Sequence, residues 1–234
     1  MRRYPVKSMG GEHLDRAELD QRGIAGDRWY AVTDGDGRLA CGKDSRRFRR
    51  RDAVFEWAAR TDGASVLVRG PAGEWPVGAA ALDAALSDAM AEPVHVLAEE
   101  RVGHQDGGQV SLVGTASLAW CRDRYDVDAD PRRLRVNLLV ETTEPFEEES
   151  WVGSCVIAGS ARLSLAERIP RCRTVDLAQD GVVSVSPWLR ALGRDRDLCL
   201  GVYADVVRPG VIAVGDEVRV EPVGESALRP SPTR

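Results

Sequence analysis

The stretch Trp29-Tyr30-Ala31-Val32-Thr33-Asp34-Gly35-Asp36-Gly37-Arg38-Leu39-Ala40 decides how this chain is read. An aromatic and β-branched run enters two Asp-Gly steps, which supply the positive-φ positions of a tight reversal, and a second short run leaves them. That is a β-hairpin. The same grammar continues downstream. Residues 54–59 and 65–68 bracket the turn Thr61-Asp62-Gly63-Ala64, and Gly70-Pro71-Ala72-Gly73 leads into Glu74-Trp75-Pro76-Val77. Short strands at this spacing form a meander, the unit of a small barrel or sandwich.

Helical periodicity interrupts the meander at 79–90, where Leu82, Ala85, Leu86 and Ala89 share one face, and Pro93 is read as the stop. Residues 94–97 leave it as a strand. A second helix is expected at 117–125, ending near the turn 126–131, and a short third at 187–192 with Ser186 as its cap and proline first. Further strands are expected at 135–141, 156–157, 162–165, 202–207 and 211–220, the last two divided by Pro209-Gly210. The polar loop 99–108 marks a domain junction, and the Pro/Ser/Arg-rich tail 224–234 is expected to be disordered. The resulting fold class is mainly β with three helices.

With 234 residues, 43% hydrophobic and 29% charged, the chain has material for one large domain or two small ones. A net charge of -5 gives it no overall electrostatic reason to bind nucleic acid or an acidic membrane. No apolar run reaches the ~20 residues of a membrane span. The opening Met1-Arg2-Arg3-Tyr4-Pro5 lacks the apolar centre of a signal peptide. Cys41, Cys121, Cys155, Cys172 and Cys199 are odd in number and irregularly spaced, which argues against a disulfide framework and for a reducing cytoplasm. Gly-rich nucleotide loops and a Gly-x-Ser-x-Gly elbow are absent, and His13, His95 and His104 have no zinc spacing.

Several local groupings could carry chemistry. Ile169-Pro170-Arg171-Cys172-Arg173-Thr174-Val175-Asp176 sets one thiol between two guanidinium groups, and positive charge favours the thiolate that binds metals and attacks electrophiles. Most single cysteines are nevertheless apolar fillers. Tyr4-Pro5-Val6-Lys7-Ser8, followed by Gly10-Gly11, offers a lysine, a hydroxyl and pliant backbone for an anion, although these residues alone read as a solvated strand end. Asp27-Arg28 closes the loop begun at Gly23, or is an ordinary surface ion pair. Arg135 and Asn137 lie two apart on an expected strand and share a face, where they grip a phosphate and a heterocycle edge or form a polar outer face. Glu147-Glu148-Glu149 reads as a solvated loop. Lys43, Arg46, Arg47, Arg49, Arg50 and Arg51 form a basic run that faces a polyanion or an acidic partner, or protects a strand edge.

Six segments occur together in order: Tyr4-Pro5-Val6-Lys7-Ser8, Gly23 to Arg28, Arg135-Val136-Asn137-Leu138-Leu139-Val140, Glu148 to Trp151, Arg171-Cys172 to Val175-Asp176, and Ile212 to Val218. In that order, over nearly the whole chain, they resemble the MOSC family, named for the C-terminal domain of molybdenum cofactor sulfurase. The nearest subgroup looks like the two-domain proteins with an N-terminal β-barrel domain, which include the mitochondrial amidoxime-reducing component and bacterial reductases of N-hydroxylated bases.

The resemblance implies an N-terminal β-barrel-like domain at 1–98 and a MOSC β-barrel domain at 99–223, with Mo-molybdopterin between them. It implies that Cys172 is the metal ligand and catalytic residue. Lys7, Ser8 and Arg28 would hold the cofactor from the first domain, and the backbone of Gly108 with Arg135, Asn137, Arg171 and Tyr203 from the second. The implied activity is a molybdenum-dependent oxidoreductase that reduces small N-oxygenated molecules. Its electrons would come from a separate donor protein, for which the run 46–51 is a candidate docking surface. The alternative is a sulfur carrier or sulfurtransferase bearing a persulfide on Cys172, and a third reading is a cofactor-free binder of small anions. Gly108 stands where those reductases place a serine, the segment after Cys172 is shorter than theirs, and the chain opens almost at the first motif; these departures bear on the substrate.

Overall fold

The computed structural model describes residues 1–100, 103–183 and 186–221, so the expected tail at 224–234 lies outside the described residues. The opening hairpin is present: strand Tyr30–Asp34 pairs antiparallel with Leu39–Cys41 through Thr33 and Leu39. Its turn is held by the Asp34 carboxylate, which accepts from the backbone N–H groups of Asp36 at 3.0 Å and Arg38 at 2.9 Å, while Gly37 takes φ +76°. Phe48–Arg50 adds in parallel on one side and Val94–Ala98 antiparallel on the other, giving four strands. Ala58–Asp62, Ser65–Gly70 and Gly73–Pro76 make the three-stranded meander. Residues 54–56, read as strand, instead belong to the 3-10 turn Asp52–Glu56, which buries Val54 and Phe55.

Helix α1, Ala80–Met90, closes this half by burying Leu82 and Leu86 against a core that includes Val32, Trp57, Val68 and Val94. Full burial of each leucine contributes about 2 kcal/mol. Ala89, expected on the apolar face, is exposed. The helix ends before Pro93. Ala91 turns left-handed at φ 53°, and its N–H and that of Glu92 close back on the carbonyls of Asp88 and Ser87.

The second half is built on six strands in the spatial order Leu138–Val140, Val110–Gly114, Cys199–Arg208, Ala161–Pro170, Cys155–Ala158, Val218–Glu221. The two long central strands pair with three register shifts, and such bulges bend and curl a sheet. One face buries Val110, Leu112, Leu163, Leu165, Val202 and Ala204. Gly210–Ala213 does not stay in this sheet: it pairs with Arg16–Asp20 and ties the two halves by backbone hydrogen bonds.

Among the described residues five α-helices form rather than three. Besides α1 they are α2 (Thr115–Tyr125), α3 (Pro131–Leu134), α4 (Glu147–Ser150) and α5 (Leu189–Asp195). Two of them, α3 and α4, are single turns, too short to display a 3.6-residue period. The expected strand at 135–141 shrinks to Leu138–Val140, because Arg135 takes the left-handed conformation at φ 55° that ends α3. Arg135 and Asn137 therefore do not share a strand face. Helix α5 starts later than expected, and Ser186 is not its cap. The Asp176 carboxylate accepts from the N–H groups of Trp188 and Leu189 instead. The glutamate run is not a solvated loop either: Glu148 is buried and accepts from Ser117 Oγ at 2.8 Å, and Glu149 pairs with Arg168 and Arg196. No helix among the described residues is long and apolar enough to cross a membrane.

Candidate functional site

A cavity of about 270 Å³ lies between the two halves. It brings together Lys7, Ser8 and Arg28 from the first half and Gly108, Arg135, Asn137, Arg171, Cys172 and Tyr203 from the second. Each arrives there for a local reason.

In the first half, Tyr4, Val6 and Met9 have no exposed surface, and the Lys7 N–H donates to the Tyr30 carbonyl at 2.8 Å. This anchoring turns Lys7 and Ser8 inward, where they are 3% and 5% exposed, so the segment is not a solvated strand end. Lys7 Nζ donates to Asp106 at 2.8 Å and lies 5.1 Å from the Phe48 ring centre. Burial lowers the Lys7 pKa, with Asp106 opposing the shift. Burial also works against ionisation of Asp106, but Lys7 and Arg28 outweigh it and hold the carboxyl well below the usual carboxylate range. Ser8, left-handed at φ 69°, donates its hydroxyl to the Ala40 carbonyl at 2.9 Å.

Asp27 and Arg28 are not a surface pair, since both are buried. Asp27 accepts from the Tyr4 N–H at 2.8 Å and from Arg28, and Arg28 passes a second N–H to the Arg135 carbonyl at 3.0 Å. Burial disfavours the Arg28 charge, but Asp27 and Asp106 overcome it and raise the pKa.

In the second half, Arg135 donates to the Met9 carbonyl at 2.7 Å, and its guanidinium sits 4.4 Å from the Tyr4 ring centre. Arg171 donates from Nε to the Leu200 carbonyl and from Nη1 to the Leu134 carbonyl, both at 2.8 Å. Burial lowers the pKa of both, that of Arg171 to about 10. Neither has a carboxylate ion-pair partner among the described residues. Asn137 is engaged structurally. Its oxygen accepts from the Ser111 N–H at 3.1 Å and hydroxyl at 2.9 Å, and its nitrogen donates to the Arg2 carbonyl at 3.3 Å.

Tyr203 lies flat against a glycine pair. A Cβ on Gly108 would stand 2.6 Å from Tyr203 Cβ, and one on Gly107 2.6 Å from its Cε2. The packing of Tyr203 therefore explains why position 108 carries no side chain.

Cys172 is half-buried at the start of the 3-10 turn Arg173–Asp176, with Sγ 3.3 Å from Thr174 Oγ1. The flanking guanidiniums do not hydrogen-bond the sulfur. Arg171 points to the two carbonyls above, and Arg173 crosses to the first half, pairing with Asp52 at 2.6 Å and the Gly42 carbonyl at 3.0 Å. Asp176, at the end of the same motif, starts α5 and faces the fully buried Arg133 at 3.6 Å. Burial pushes the Cys121 thiol, remote from the cavity, up to about 12.

Sequence reasoning missed Asp106, Cys41, Phe48 and Thr174 as site residues, all of which line the cavity together with Lys43 and Arg47. Asp106 had no signal at all, because its role comes from Lys7, 99 residues away. In the sequence, Lys43 and Arg47 read only as part of a basic run. The lining holds seven cationic side chains against the acids Asp106 and Glu167, so the site is strongly positive within a protein of net charge -5. Among the described residues, no three His, Cys, Asp or Glu side chains converge as a metal-binding set.

The MOSC domain family matches residues 99–219, and the family described as MOSC N-terminal beta barrel domain matches residues 1–69. Among solved structures, the chain is similar to the YUAD protein from Bacillus subtilis, at 16% identity over 94% of this chain and 92% of that one, with a TM-score of 0.48. It is also similar to YiiM from Escherichia coli, at 12% identity over 96% and 71%, with a TM-score of 0.43. No curated protein matches the chain.

Proposed function

Starting from the MOSC domain family, to which this chain belongs, we propose that it is a molybdenum-cofactor-binding oxidoreductase that reduces small N-oxygenated molecules. The carrying observation is the pair Arg135 and Arg171. Two half-buried guanidiniums, without a carboxylate ion-pair partner among the described residues, line the same cavity as Cys172, and burial lowers the pKa of both. Holding such charges out of water is costly unless an anion meets them. A phosphate-bearing cofactor is such an anion. The donor set also fits, because a metal at Cys172 would have one protein sulfur and would take its other ligands from the cofactor, and thiolate suits a soft sulfur-rich centre.

In this reading Arg135, Arg171, Lys7 and Arg28 hold the cofactor's phosphate and pterin, with Ser8 and the Gly108 backbone placed to complete the contacts. Asn137 acts at one remove, bracing Ser111 and Arg2. When bound, molybdenum–molybdopterin supplies two-electron redox chemistry at the metal. Cys172 is its protein ligand, and Thr174 orients the sulfur. Lys7 keeps a proton on Nζ, shared with Asp106, at the cavity wall. Overall, an N–O bond breaks, nitrogen is reduced by two electrons with two protons, and the oxygen leaves as water. The electrons come from a separate donor protein. The chain divides functionally into domains at 1–98 and 99–223.

Metal analysis of protein purified from a molybdopterin-producing host tests the proposal, followed by assay on benzamidoxime with reduced methyl viologen as donor. Near-stoichiometric molybdenum, lost in Cys172→Ala, together with amidine formation, is the expected result. Absence of molybdenum with a labile sulfur on Cys172 would overturn it in favour of the sulfur carrier.

A further inference from the structure

Two cations at the mouth of the cavity are not needed to close the protein's own ion pairs. Within the basic run, Arg50 pairs with Asp52 at 3.1 Å and Arg51 with Glu92, whereas Lys43 and Arg47 have no carboxylate ion-pair partner among the described residues. These two line the cavity. Lys43 is exposed, and Arg47 is half-buried. The Phe48 ring holds them together: Lys43 Nζ and the Arg47 guanidinium each lie 5.0 Å from its centre. An aromatic face attracts cations without neutralising them. Arg47 is further fixed by one N–H to the Gln105 carbonyl at 2.8 Å, and its Nε is buried without a hydrogen-bond partner.

Position separates this pair from the cations assigned to the cofactor. Lys7 and Arg28 are buried and already paired with Asp106 and Asp27, and Arg135 and Arg171 are anchored to backbone carbonyls. Lys43, by contrast, is in contact with solvent, where an entering molecule meets it first. The exposed acids Asp106 and Glu167 also line the cavity: Asp106 feels the Lys43 charge but hydrogen-bonds Lys7, and Glu167 lies on the long strand Ala161–Pro170 of the other half.

We infer that Lys43 and Arg47 form an anion-reading subsite, so that the preferred substrate carries a carboxylate or phosphate group besides its N–O group. The inference rests on the proposed function for the N–O group and for taking the cavity as the place where substrate enters.

Equilibrium binding by calorimetry, on the protein as purified with its cofactor, separates the two ideas. The probes are benzamidoxime and 4-carboxybenzamidoxime, which differ by one anionic group. The carboxylated compound is expected to bind about tenfold more tightly at low salt, the size of one charge-assisted contact, and the preference should shrink as salt rises. The ratio of the two affinities should fall towards one in Lys43→Gln, which removes an exposed charge and no hydrogen bond, and in Arg47→Gln. A ratio near one in the unmodified protein, or failure of both compounds to bind, overturns the inference. Loss of molybdenum from Lys43→Gln would overturn it too, because the side chain would then serve the cofactor's phosphate. If the preference holds while neither compound is reduced, the subsite stands and the reductase reading fails.

Discussion

Lys7 Nζ and Asp106 Oδ1 meet at 2.8 Å across 99 residues of sequence, joining the N-terminal half to the loop that begins the second. Lys7 is 3% exposed, so Asp106 is the group that keeps its ammonium tolerable out of water. Asp106→Asn keeps an acceptor but removes the countercharge, and is therefore expected to lower stability by about 1–3 kcal/mol, the cost of leaving a buried ammonium uncompensated. Urea denaturation reads this directly. Lys7→Met in the same background should recover part of the loss, and a double variant no better than the single would show that the pair is not coupled.

Arg135→Gln should separate stability from loading. At Arg135 the burial penalty outweighs the attraction of the more distant Asp180 and Asp106 carboxylates, so its removal is expected to change the unfolding midpoint little. Molybdenum content should fall about tenfold or more, the scale of a lost charge-assisted contact. A variant with full metal content would remove Arg135 from the cofactor site.

His104 makes the fold acid-sensitive. It is 4% exposed, and burial lowers its pKa below the ordinary 6.5, with Glu99 opposing. As pH falls through that ordinary value, the unfolded chain takes up a proton before the folded protein does, so stability declines below about pH 6.5. The decline ends once pH has passed the folded-state value. Thermal unfolding midpoints from pH 7 downward should show this slope, and His104→Gln should flatten it. An unchanged slope in the variant would place the sensitivity elsewhere.

Gly108→Ser should cost stability. Its Cβ would stand 2.6 Å from Tyr203 Cβ, so backbone has to shift. About 1–3 kcal/mol is expected, the usual cost of overpacking. A neutral outcome in urea denaturation would mean that the Tyr203 strand yields easily.

Asp176→Ala tests the motif's second role. Losing the carboxylate that starts α5 should cost about 1–2 kcal/mol. Faster hydrogen exchange at the Trp188 and Leu189 amides, with Cys172 reactivity unchanged, would mark the residue as scaffold. Unaltered exchange at both amides would contradict that assignment.

The β-grammar was readable because it is local. The Asp-Gly steps after Tyr30 and the leucines of α1 write their geometry within a dozen residues. The single-turn helices before Arg135 and at Glu147 were not readable, since one turn has no period to detect. The helix before Arg135 also takes that residue off the strand on which the spacing sets it beside Asn137. Charges were the most misleading feature, because a run such as Glu147-Glu148-Glu149 looks solvated until Ser117, Arg168 and Arg196 are brought against it.

By itself the sequence determined the mainly β fold class and the family, whereas the meeting at one cavity of the nine positions that the family resemblance implies belongs to the tertiary structure. Tertiary structure decided which charges are satisfied: it gave Lys7 to Asp106, Arg28 to Asp27 and Arg173 to Asp52, and left Arg135, Arg171, Lys43 and Arg47 without carboxylate partners among the described residues. The reason is physical. Motifs are carried by spacing along the chain, whereas electrostatic compensation depends on distance in space and on exclusion of water, which exist only once the two halves have closed on each other.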